Sequence, residues 1–221
     1  MEEKADEQIK TSSTKENQRP SNKLEIGKKG VEIARKTLTE EFGELVEKGT
    51  LDQVSNSLEV LPHDKFIKGM IIRTKGDEDM IGYRTIEGKL AINADAMESE
   101  DHAFQVGYHE LLEELSDRLG TSLCSFHKFH EGIVQYFVRQ AVEKQGKRYY
   151  LSAYERISDI VARLIEKGVS EDLWKEALVN NQTHRELMSE VDGKLGNEKG
   201  FREIDRALDH NDWSKIKELL R

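Results

Sequence analysis

The sequence predicts an α+β fold that is mostly α: helices, a small mixed or antiparallel sheet, then helices to the C-terminus. Three observations carry this. Apolar residues recur at helical spacing between Leu24 and Lys48. A short middle region, Phe66–Thr74 followed by IGYRTI (81–86) and KLAINAD (89–95), is rich in β-branched residues. From residue 101 onward the pattern is helical again, with no internal repeat.

Each element has its own signal. Residues 1–23 are Glu, Lys, Ser, Thr, Gln and Asn with hardly an apolar side chain, too few to offset ordering entropy, and are expected to be a disordered tail. Val31, Ala34, Leu38, Phe42 and Leu45 share one face of a helix that Gly49 ends. A shorter helix over 51–58 is closed by Pro62. Phe66–Thr74 reads as a strand bounded by the polar loop 75–79, and Glu87-Gly88 as the turn of a hairpin. Helices follow over 101–119, 129–145, 151–167, 170–180, 183–194, 199–209 and 212–220, with Ser170 and Asn211 or Asp212 as N-caps and Gly120, Gly168 and Gly196 as stops. Trp174 and Trp213 sit among apolar neighbours as core residues. The expected division is a tail (1–23), a main domain (24–168) and a C-terminal helical subdomain (169–221).

Composition narrows the function classes. The chain has 221 residues, is 35% charged and 36% hydrophobic, and carries a net charge of −9. That balance argues against a nucleic-acid partner, which selects a basic surface. No apolar run reaches the length of a membrane span, and the polar N-terminus has no signal-peptide core. The expected location is the cytoplasm, or outside the cell by a route that needs no cleaved signal. A single cysteine, Cys124, excludes an intrachain disulfide and a Cys-rich zinc site.

Two stretches carry possible chemistry. In YHELLEEL (108–115), Tyr108, Leu111, Leu112, Leu115 and Leu119 form a core stripe. His109 and Glu113 lie one turn apart on the neighbouring strip, with Glu110 beside them. An HExxH helix uses this arrangement: positions i and i+4 hold a metal, and the Glu at i+1 serves as general base. Alone, such a strip is more often a solvated acidic face. In HEGIVQYF (130–137), Glu131 stands at a helix start, where the macrodipole favours it. Gly132 costs about 1 kcal/mol relative to Ala inside a helix and permits close approach of a backbone or ligand. Seventeen residues separate Glu113 from Glu131, enough for a second helix to fold back on the first.

Together the two stretches resemble the gluzincin branch of the zinc metallopeptidases over roughly residues 50–165. That family carries HExxH on one helix and a third ligand Glu on the next, in aminopeptidase-like members within NEGxxxY. HEGIVQY keeps the Glu, Gly and Tyr as Glu131, Gly132 and Tyr136, and IGYRTIEGKLAINADAM resembles the edge-strand hairpin that leads into the active-site helix. The resemblance implies a zincin-like main domain, a peptide or protein as substrate or partner, His109 and Glu131 as zinc ligands, and Glu110 as general base. Glu113 departs from the pattern, standing where the family has its second His. A carboxylate can bind zinc, but two of them lower the charge on the site, weaken the acidification of its water and favour harder ions such as manganese.

Three readings follow. One is a metal-dependent peptide-bond hydrolase with an altered HExxE…E site. Another is a zincin pseudoenzyme that has lost its metal and binds a protein partner. The third, a di-metal carboxylate protein built on Glu110, Glu113, Glu131 and Glu155, lacks the paired Glu-x-x-His spacing of such sites. His130, or His127 a turn earlier, could replace the missing imidazole, though both fall near the apolar arc. Tyr154, with Tyr149 and Tyr150, could stabilise an oxyanion or simply pack, and Glu155 with Asp159 could add carboxylates or form a solvated face.

Overall fold

Helix α1 (Arg19–Phe42) buries Val31, Ala34, Leu38 and Phe42 on one face, as their spacing requires. Each large side chain contributes about 1.5–3 kcal/mol by leaving water. The computed structural model describes residues 19–69, 81–85, 88–121, 127–150 and 154–221. Most of the expected tail, residues 70–79, Glu87 and Cys124 lie outside them.

The first helical region departs from expectation at both ends. It begins at Arg19, so residues 19–23 belong to the helix rather than the tail, and it stops at Phe42. The chain then turns through residues 43–45, leaving Leu45 exposed and Val46 buried. Gly49 therefore ends nothing; it lies within α2 (Lys48–Ser57).

A three-stranded sheet follows, in the order β1-β3-β2. Strand β1 (Leu58–Leu61) precedes Pro62 and pairs parallel with β3 (Leu90–Asn93), so the helix expected to run to 58 gives way to a strand. The expected hairpin is present: β2 (Gly82–Arg84) pairs antiparallel with β3, Gly82 facing Ile92 and Arg84 facing Leu90. Central β3 is buried along its whole length. Of the expected strand 66–74, the described part is helical instead, in α3 (His63–Gly69). Asp64 in its first turn and Lys68 in its last suit the macrodipole, and Phe66 is buried edge-on against Tyr83, whose hydroxyl donates to the Phe66 carbonyl at 2.9 Å.

A short 3₁₀ turn (Ala94–Ala96) leads to α4 (Glu100–Arg118). Ser99 caps it by accepting from the His102 N–H, with Glu100 and Asp101 in the first turn and Arg118 in the last. Helices α1 and α4 pack closely at Gly30, where a Cβ would stand 2.5 Å from the Ala103 methyl and from the Glu100 carbonyl oxygen. Helix α5 (His127–Lys144) packs on α4, and α6 (Glu155–Glu166) packs on α5.

Helices α7 (Glu171–Ala177), α8 (Thr183–Leu195), α9 (Gly200–Asp209) and α10 (Trp213–Leu219) complete the chain. Phe129 of α5 meets Trp174 of α7 and Phe201 of α9, so α7 and α9 share the core with α5. One apolar cluster runs from Val31 to Leu220. Trp213 is only half-buried, packed at the cluster's margin. Gly120, Gly168 and Gly196 take the positive φ of helix stops, and Asp212 caps α10, whereas Ser170 makes no capping hydrogen bond. Among the described residues, no helix is long and apolar enough to cross a membrane.

Candidate metal centre

The two motifs meet. Helix α4 presents His109 and Glu113 on one strip because they are one turn apart, and α5 brings Glu131 to the same strip. His109 Nε2 lies 3.4 Å from Glu113 Oε1 and 3.4 Å from Glu131 Oε2. One donor atom from each of the three residues lies within 4.8 Å of the others. Among the described residues this is the group of His, Cys, Asp and Glu whose spacing suits a metal ion. Glu131 is buried, His109 nearly so, and Glu113 is about one-third exposed, so the cluster opens to solvent through Glu113.

The donor separations can be tested against an ion. Ligands about 2.1 Å from a tetrahedral zinc stand about 3.4 Å apart. Both separations from His109 match that value. A feature that well-supported sites have is missing among the described residues: His109 Nδ1 is buried with no hydrogen-bond partner, where a ligating His usually donates to an outer-shell acceptor.

Electrostatics ties the cluster together. Burial works against the His109 imidazolium, but hydrogen bonds to Glu113 and Glu131 and the charges of Glu113 and Glu110 outweigh it and push its pKa up to about 10. Burial would raise Glu113; the hydrogen bond and charge of His109 instead hold it down at about 2, with His130 adding to the pull. Glu131 is raised, by burial first and then by the neighbouring Glu113, against the pull of His109. Burial also lifts Glu110, to about 7, opposed by His109.

Glu110 turns toward the sheet. A Cβ built on Gly82 would stand 2.6 Å from Glu110 Oε1, so the carboxylate occupies the space a side chain on β2 would fill. Two residues on, Arg84 reaches the fully buried Glu114 and, at 3.2 Å, Asp117. Arg118 holds Glu114 from the other side. Positions 110, 114 and 117 form the stripe of α4 that receives β2. Sequence reasoning missed Arg84 and Glu114, because a Glu among other Glu residues carries no sign of burial.

The remaining candidates separate. Tyr154, at the N-cap of α6, stacks beside His109 with centroids 6.3 Å apart and planes 5° from parallel. Burial raises its hydroxyl pKa, with Glu131 and Glu113 adding to the effect. Tyr136 is buried against Phe137; burial raises its pKa to about 12, and the charges acting on it are Glu171, Glu143 and Arg139, not those of the cluster. His130 is buried and lies outside the three-donor group, while His127 opens α5 with its side chain outside the described set. Gly132 serves helix packing: a Cβ there would stand 2.3 Å from Ile157 Cγ2 of α6. Tyr149 bonds Gln135, and Tyr150 stacks on His102. Glu155 is exposed, and Asp159 is paired with Arg139 at 3.0 Å.

No known protein family, curated protein or solved structure gives a significant match to the chain.

Proposed function

We propose that the chain is a zincin-like, metal-dependent peptide-bond hydrolase with an altered HExxE…E site. The observation that carries this reading is the convergence of His109, Glu113 and Glu131 at separations that suit one divalent ion. His109 and the two carboxylates would hold zinc, or manganese given the oxygen-rich set. When bound, such an ion supplies a Lewis acid and an acidified water. Glu110, half-buried and with a pKa near 7, has the proton affinity of a general base at neutral pH and would take the water's proton. Tyr154 keeps its hydroxyl proton at neutral pH and stands beside His109, a position from which it would donate to the oxyanion of a peptide carbonyl. The hairpin of β2 and β3 against α4 supports the zincin-like reading of the fold.

A second reading has its own support. The cluster is also satisfied with a proton in place of an ion: an imidazolium at 109 pairs with Glu113 and Glu131. That arrangement would suit a zincin scaffold that binds a peptide or protein partner without cutting it.

A screen of quenched-fluorescent peptides with zinc or manganese, run beside Glu110→Gln, separates the two. Metal-dependent cleavage abolished by Glu110→Gln supports the hydrolase. Absence of cleavage by a folded protein that takes up neither metal supports the binding scaffold.

A further inference from the structure

A recess lies between α6 and α10, lined by none of the His109 cluster residues. It encloses about 340 Å³, room for one or two large side chains. Its floor is apolar: Ile160, Ile216, Leu220 and the half-buried Trp213. Its rim is cationic: Arg156, Arg163 and Lys217, all exposed. The Arg156 guanidinium lies 5.6 Å from the centre of the Trp213 ring. Asp159 also lines the recess, but it is engaged by Arg139. Among the described residues, none of the three rim cations has an ion-pair partner.

That rim is unexpected on a chain of net charge −9, where carboxylates outnumber cations. An apolar floor ringed by unpaired cations complements a ligand that is apolar at its centre and anionic at its edges. Three cations around a concave apolar floor are too few and too local to track a nucleic-acid backbone. A membrane surface would ask for a projecting basic or apolar face rather than a recess.

We propose that the α6–α10 recess docks an acidic amphipathic peptide segment of a partner protein. Its apolar anchor seats against Trp213 and Ile216, and its flanking carboxylates pair with Arg156, Arg163 and Lys217.

The test uses the full chain and fluorescein-labelled peptides of about three helical turns, each with a Leu-x-x-Phe anchor. One peptide has Asp and Glu flanks, one Gln flanks and one Lys flanks. Fluorescence anisotropy gives affinity, and the Trp213 indole N–H resonance reports the location. The acidic peptide should bind at least about tenfold more tightly than the Gln version and shift the Trp213 signal while leaving buried Trp174 unchanged. Reversing the exposed pair, Arg163→Glu with Lys217→Glu, should abolish that preference and transfer it to the Lys peptide. Lys217→Glu alone should weaken acidic-peptide binding in the same direction. Equal affinity for acidic and Gln peptides, no binding of the acidic peptide, or tighter binding of a single-stranded oligonucleotide or an anionic vesicle would each overturn the proposal.

Discussion

Gly82 of β2 and Glu110 of α4 are fitted to one another: the space within 2.6 Å of a would-be Cβ on Gly82 holds the Glu110 carboxylate. The backbone at Gly82 is not in the left-handed region, so Ala is tolerated there by the chain. Gly82→Ala should therefore leave thermal stability within about 1 kcal/mol of the parent, while displacing the Glu110 side chain. A carbon-13 titration of the Glu110 carboxyl should show its pKa leaving the neighbourhood of 7. An unmoved titration would mean that strand and carboxylate are not coupled.

Arg84 and Glu114 tie the hairpin to α4. Glu114 is fully buried, with Arg84 on one side and Arg118 on the other. Glu114→Ala opens a void beside two part-exposed arginines, of which Arg84 keeps Asp117, and should cost about 1–3 kcal/mol. Denaturant unfolding measures this directly. A loss below about 1 kcal/mol would show that the pair does not anchor β2.

Gly132 and Ile157 are a packing pair. Gly132→Ala places a methyl 2.3 Å from Ile157 Cγ2 and should destabilise by about 1–3 kcal/mol. Ile157→Ala opens room for it, so the double variant should be more stable than the two single losses added together. Strict additivity in a double-mutant cycle would contradict the contact.

Asp205 of α9 is buried, and its Oδ1 has no hydrogen-bond partner among the described residues. Burial first, then the charge of Asp209, raises its pKa from 3.8 to about 6 against the pull of Lys128. A carboxyl raised in the folded state contributes stability that is complete below the unfolded pKa and lost as pH climbs through the folded one. The loss therefore falls between about pH 4 and 6. Asp205→Asn should be more stable than the parent at pH 7.5, by on the order of 1 kcal/mol, and lose that advantage near pH 4. Unfolding midpoints at the two pH values check both sign and window.

Much of this was legible in the sequence, and the exceptions have physical reasons. Helices from residue 100 onward announced themselves through apolar spacing and through Gly120, Gly168 and Gly196, which the chain uses as left-handed stops. The hairpin was legible from its two short apolar runs. Strand β1 was not, since LEVL is four residues long and follows a helix without a break, and its pairing with β3 is parallel and distant. Helix α3 was hidden by the β-branched residues that follow it. In the site, His109, Glu113 and Glu131 were legible because each motif has its own spacing and the helices had room to fold back. Arg84 with Glu114 was not, because a contact between residues 30 positions apart leaves no periodic trace.

We propose that His109, Glu113 and Glu131 together hold one metal ion. Metal content by mass spectrometry tests it most directly, on protein purified without chelator or a metal-affinity column, beside Glu131→Ala. One zinc or manganese per chain is expected in the parent and little or none in Glu131→Ala. A folded parent with no stoichiometric metal, even after incubation with zinc or manganese, would contradict it and leave the cluster as a proton-bridged scaffold.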